Sequence, residues 1–408
     1  MLTSSILVAL LLSTAAGEST PGPAVQGVAT DPWPAQPRPP LYRMEPRGYT
    51  MGLGVSFFSG TVAFRPNGRT LVSDGGDLSI DVAHADPYSL ANLDEIQSQV
   101  LFNSRPSPSR LTIVDDPAGI SRRIVTAVPT GSMSTLTIRT SWPAIAFASR
   151  VDEAGAATVT WPREWPEDVR PFLEPSPFIE SADPRFRDFV DEVSGGRLRR
   201  TSIYLAAKDL VRNAILQYRN VQGEVVVRSV PDDNSQGLEL SLGTTRILGY
   251  HVRGASQSIG QLQLSPPDLV CTCVAVLRAA GIPARPVIGI DSGKGDQSGR
   301  KLPRDRTSFA VWAEFRLPGK GWIPFDPWQM RGQGLRQLKV QQPWRWFGTI
   351  RDLNRRVALA YDFAPSGCGT ISPWPGGWAM AISWRSDGRA FPTGTIEPIL
   401  ISRGSIRP

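Results

Sequence analysis

Nucleophilic acyl transfer needs a thiol or hydroxyl, a base to take its proton and a group to orient that base. This 408-residue chain has little to offer such a reaction: three cysteines, Cys271, Cys273 and Cys368, and two histidines, His84 and His251. The two clustered thiols lie in SPPDLVCTCVAVLRAAGIPARPV, Ser265 to Val287. A helix starting near Pro266 puts both thiols one to two turns inside it. Residues two apart on a helix point to different sides, so they cannot share one role. Cys273 falls on the stripe of Val270, Val274 and Leu277 and reads as a small buried hydrophobe. Cys271 points elsewhere, free or paired with Cys368. A Cys-x-Cys pair plus a distant histidine is not a recognisable metal-ligand set, so no metal and no cofactor is expected.

The elements that must position these groups are legible in outline. Hydrophobic residues at 41% and charged ones at 20% describe a globular chain. Its 37 prolines and 38 glycines favour short strands and turns over a helical bundle. Residues 1–17 read as a signal peptide: an apolar run, Ile6 to Leu12, too short to span a bilayer, then small residues. Residues 18–47 are Pro-rich and read as a linker. The expected product is secreted or periplasmic, with no stable membrane span once the signal is removed. The net charge of +7 concentrates between Arg300 and Arg356, a basic surface that reads first as solvated and otherwise suits nucleic acid, anionic lipid or an acidic cell-wall polymer. Export argues against nucleic acid as the partner.

Residues 48–165 carry β-branched runs broken by turn signals, among them LSIDVAH, STLTIRTSW and AATVTW, and predict a β-sandwich. A short helix is expected over Leu93 to Val100. Residues 166–345 change character. Asp183 caps a helix with Pro184 in its first turn and Gly195 as its stop. Ala207, Leu210, Val211, Ala214, Ile215 and Tyr218 form a helical stripe. A strand is expected over Val225 to Val230, while residues 231–263 are polar and give no clear pattern. TSFAVWAEFRL alternates as a strand, PGKG turns and WIPFDPW returns. Residues 346–408 add further strands, WAMAISW and TIEPILI.

LRAAGIPARPV followed by Trp312, Glu314, Leu317, Pro318, Gly319, Gly321, Trp322, Pro324, Phe325, Asp326 and Pro327 resembles the transglutaminase-like, papain-related superfamily. The resemblance runs from about Phe172 to Trp328. It implies an α+β fold, a transglutaminase-like domain with a central helix packed on an antiparallel sheet, behind the N-terminal β-sandwich. It also implies a Cys-His-Asp triad: the cysteine at the helix N-terminus, the histidine on the first hairpin strand and the aspartate after the second. The cysteine position, twelve residues before Arg278, is Pro266, and Asp268 matches the aspartate two residues beyond. The histidine position, two before Trp312, is Ala310. Asp326 alone keeps its identity.

No triad is intact, and the resemblance therefore implies a catalytically inactive member that binds a peptide, a protein or a cell-wall polymer. Another reading is an active cysteine peptidase or acyltransferase using Cys271 and His251 with Asp326. A third is a structural envelope protein whose basic residues contact an anionic polymer. Trp312 and Trp322 are candidates for core or cleft wall, and Trp344 and Trp346 flank Arg345 as a stacking pair or as packing. The oligomeric state is not readable.

Overall fold

A computed structural model describes residues 41–58, 71–74, 77–83, 86–115, 121–127, 130–133, 135–217, 239–242, 245–248, 250–260, 264–292, 308–332, 334–363, 371–374, 376–379, 382–385 and 394–405. His84, Cys368, the expected signal peptide and Val225 to Val230 lie outside this set. Residues 36–408 cluster as one compact unit.

The N-terminal region is β-rich because its long runs alternate. In β1 (Leu41–Phe58), Tyr49, Met51 and Leu53 are buried. The short β2 (Ser89–Ala91) and long β3 (Thr135–Val151) follow, and β3 pairs antiparallel with both. One sheet runs Gly394–Ser405, β1, β3, Gln97–Phe102, Arg105–Ser107. A second runs Ile382–Arg385, Asp77–Ala83, Ser121–Ala127, Leu111–Asp115. So TIEPILI does return as a strand, at the edge of the first sheet.

Three local expectations fail here. The linker ends early, because β1 begins at Leu41 and not after residue 47. The helix expected over Leu93 to Val100 shrinks to a 3-10 turn, Leu93–Glu95, and Gln97–Phe102 joins the sheet. Pairing to β3 outweighs a weak local preference there. AATVTW is no strand, since Asp152 accepts a hydrogen bond from Ala154 N (3.2 Å) and starts α1 (Glu153–Ala157).

The second half follows its caps. Helix α2 (Pro184–Ser194) starts at Asp183, whose carboxylate accepts from Arg185 N, and stops at Gly195 with φ of 55°. Next come α3 (Ile203–Leu216), α4 (Ala255–Ser258) and α5 (Pro266–Ala279). The core sheet is fully antiparallel, in the order Gly321–Phe325 (β6), Ser308–Leu317 (β5), Ala284–Asp291 (β4), Arg356–Ala360 (β7). Helix α6 (Pro327–Met330) follows β6. Strand β7 lies beyond residue 345, so the core sheet draws on the segment expected to hold only peripheral strands.

Helix α5 packs against α2, α3, α4, α6, β4 and β5. That enclosure buries Pro266 to Arg278 without a break. Ala310 to Phe315 are buried on both faces of β5 as well, because α5 packs on the sheet and residues of the N-terminal region reach its other face. Ser89 Oγ accepts from Ala358 N (2.9 Å), and Tyr88 Oη donates to Trp322 O (3.0 Å).

Close approach on this covered face depends on Gly289. A Cβ there would stand 2.5 Å from Val357 O and 2.6 Å from the Trp312 ring. Gly289→Ala is therefore expected to destabilise the fold by about 1–3 kcal/mol through overpacking, read as a lower urea midpoint with an unchanged slope.

Candidate functional site

Pro266 occupies the first position of α5 and is buried, its ring suited to a turn with no intrahelical acceptor for its nitrogen. Ser265 and Asp268 form a capping box: Asp268 N donates to Ser265 Oγ and Ser265 N to Asp268 Oδ2, both at 3.3 Å. Asp268 Oδ1 also accepts from Arg253 N at 2.7 Å, which ties the strand Tyr250–Val252 to this helix end. Ala310 lies in β5 opposite Gly289 and is buried. Asp326 follows β6 and is fully buried.

The Asp326 carboxylate is engaged at both oxygens. Oδ1 accepts from Gln329 N (3.0 Å) and caps α6, while Oδ2 accepts from Arg356 Nη1 (2.7 Å). Arg356 also donates through Nε to Asp291 Oδ2 (3.1 Å). Burial opposes its charge, but Asp326 and Asp291 more than compensate, and its pKa rises. A carboxylate that would orient an imidazole instead neutralises a guanidinium.

Along the same face lies a second buried polar group. Glu314 Oε2 accepts from Arg285 Nε (2.9 Å) and ion-pairs with Nη2 (2.7 Å), while Glu314 Oε1 has no hydrogen-bond partner. The guanidinium of Arg285 sits 3.5 Å from the Tyr361 ring centroid and 4.1 Å from that of Trp322. Tyr361 Oη donates to Asp86 Oδ2 (2.9 Å), and Asp86 Oδ1 accepts from Tyr88 N and Ser89 N. Burial, aided by Asp86 and opposed by Arg285, pushes the Glu314 carboxyl up to about 7.

The comparisons fit this geometry. Residues 267–327 match the transglutaminase-like superfamily, opening one residue past Pro266 and closing one past Asp326. The chain carries a transglutaminase-like core. A protein-glutamine gamma-glutamyltransferase of Pseudomonas aeruginosa is 42% identical over 52 residues, 13% of this chain and 8% of that protein's length. A crystal structure of a candidate cysteine protease from Cytophaga hutchinsonii aligns with a TM-score of 0.54 and 14% identity over 90% of this chain and 94% of its own, a shared fold. The periplasmic domain of TgpA from P. aeruginosa aligns over 72% of this chain and 93% of its own at 16% identity, with a TM-score of 0.28, too low to add to the assignment.

Inside the transglutaminase-like core the two thiols of α5 are enclosed. Cys271 and Cys273 are free thiols, both fully buried. The expected stripe separated them, but a helix enclosed on all sides buries both. Burial first, then Asp268, Glu180 and Asp362, pushes the Cys271 thiol well up, and burial does the same at Cys273. An activated nucleophile needs the opposite shift. The backbone of His251 pairs with Trp378 in a small sheet.

Trp312 and Trp322 are core residues: Trp312 lies against Gly289, and Trp322 packs edge-on to Phe172 at 4.9 Å. Trp344 is buried beside Lys208 Nζ, which lies 4.8 Å from its ring, and Arg345 covers the half-buried Trp346. Among the described residues no group of three or more His, Cys, Asp or Glu could hold a metal.

Sequence reasoning missed Arg356, Asp291, Asp86 and Tyr361. Arg285 and Glu314 lay within the quoted motifs, and an arginine and a glutamate at buried strand positions signal a pair. Arg356 gave no such signal, since its partners lie 30 and 65 positions away.

The Glu314 shift fixes a pH dependence. Between its ordinary value of 4.5 and about 7, the folded chain holds a proton that the unfolded chain has released. Stability conferred by this group is thus full below that window and falls as pH rises through it. Glu314→Gln should remove a fall on the order of 3 kcal/mol, seen as the difference between urea midpoints of the two proteins from pH 4.5 to 7.5.

Proposed function

We propose that this chain is an exported transglutaminase-like protein without acyl-transfer chemistry, acting as a binding module in the cell envelope. One observation carries the reading: the only triad residue present, Asp326, is committed to Arg356 and to the α6 cap. Proline stands where the family thiol belongs and alanine where the base belongs. The N-terminal apolar run supports export, and no helix among the described residues is long and apolar enough to cross a membrane. The ligand proposed is a peptide or protein of the envelope; a cell-wall polymer held by the basic residues would instead be released by salt.

A second reading draws on the hydrogen bond from Arg253 N to Asp268, which brings the strand carrying His251 to the N-terminal end of α5. In that reading Cys271 attacks a glutamine amide or peptide bond with His251 as base. The buried thiol with its raised pKa opposes it.

Iodoacetamide labelling from pH 5 to 9, read by mass spectrometry at each cysteine, separates the two. The inactive reading expects slow labelling of Cys271 and Cys273 until the chain is unfolded, and no amine incorporated into a glutamine donor. Fast labelling of Cys271 at pH 6, lost in His251→Ala, would establish the second reading instead.

A further inference from the structure

The corner between α2 and α3 holds a cavity of about 300 Å³. Its floor is apolar: Val193 from α2, Leu198 from the 3-10 turn Leu198–Arg200, Leu205 and Leu210 from α3, and Val340 from the segment packed beside them. Arg212 Nη1 donates to Leu338 O (3.1 Å) and holds that segment against α3.

The charges around this cavity are unequal. Asp209 lines it, but its Oδ1 already accepts from Arg212 and from Asn213 Nδ2. Of Arg197, Arg199 and Arg200, at and just before the turn, Arg199 stacks on Trp161 at 4.1 Å from the ring centroid. Arg197 and Arg200 line the cavity, are exposed, and pair with no carboxylate among the described residues. Ser194, the last residue of α2, also lines the cavity.

We infer that this cavity captures the C-terminal residue of a peptide, its carboxylate between Arg197 and Arg200 and its apolar side chain on the Val193–Leu205–Val340 floor. The inference deepens the binding-module reading and rests on it. Planar guanidinium groups match a carboxylate with paired hydrogen bonds. The volume lies at the lower end for small-molecule sites, which suits one side chain and its carboxylate better than a long acyl chain. A cation is disfavoured by two unpaired guanidinium groups. The C-terminal carbonyls of α2 contribute partial negative charge, so the affinity must come from the two arginines.

The test uses a fluorophore-labelled acetylated peptide ending in Ala-Ala-Phe, as free acid and as C-terminal amide, titrated against the purified protein by anisotropy. The free acid should bind, and the amide should bind about tenfold more weakly or worse. Arg197→Gln with Arg200→Gln should lose the free acid by a similar factor while leaving the thermal midpoint unchanged, since both side chains are exposed. Leu198→Glu, which puts a like charge beside the carboxylate, should abolish binding. Equal binding of acid and amide, no binding at millimolar peptide, or full affinity in the double arginine variant would overturn the inference. Mass spectra of the recovered peptide keep the two proposals distinct. A cleaved or crosslinked peptide ends the inactive reading, whereas the fate of the cavity is decided by the affinities.

Discussion

A helix with no solvent-facing side must satisfy its polar ends from within the fold, and α5 is such a helix. At its start Ser265 and Asp268 exchange hydrogen bonds, and Asp268 takes a further one from Arg253. At its end Gly281, with φ of 76°, lets Gly281 N and Ile282 N turn back to Arg278 O and Leu277 O. Arg278 then donates to Ala284 O and Glu174 O, fixing the entry of β4 and the loop before α2. The R-A-A-G-I-P-A-R phrase is thus a helix stop and a strand start. It keeps its shape whether or not chemistry takes place at the other end.

The face of the core sheet turned away from α5 is filled by ion pairs and rings, and strands from the N-terminal region cover it. Arg356 joins the loop after β6 to the end of β4, and Arg285 joins β4 to β5 between aromatic rings. Each pair is buried, and removing one partner would strand a buried charge at a cost of about 3–5 kcal/mol. Tyr88, Ser89 and Asp86 reach the same face, which is why the β-rich region and the transglutaminase-like core make one compact unit.

Local signals in the sequence were faithful where a few neighbouring residues decide the outcome. Asp183, Pro184 and Gly195 bounded α2, Ser265 and Asp268 capped α5, and the alternation of TSFAVWAEFRL gave β5. They failed where distant pairing decides: Leu93 to Val100 was drawn into the sheet by β3, and Leu41 to Arg47 became strand by pairing with β3 as well. The bounds of the transglutaminase-like core, residues 267–327, lay inside the stretch that motif spacing marked out. The occupation of Asp326 by Arg356 was not readable, because thirty residues and a change of strand separate the two.

The pairing of Asp326 with Arg356 bears on what the neighbouring positions can accept. An imidazole at position 310 would have to compete with a guanidinium for this carboxylate. It would also stand across the strand pair from Gly289, where Trp312 already fills the space. The consequence is epistasis: what a substitution at position 310 does depends on the residues that hold positions 289, 312 and 356, so these sites can change only in concert.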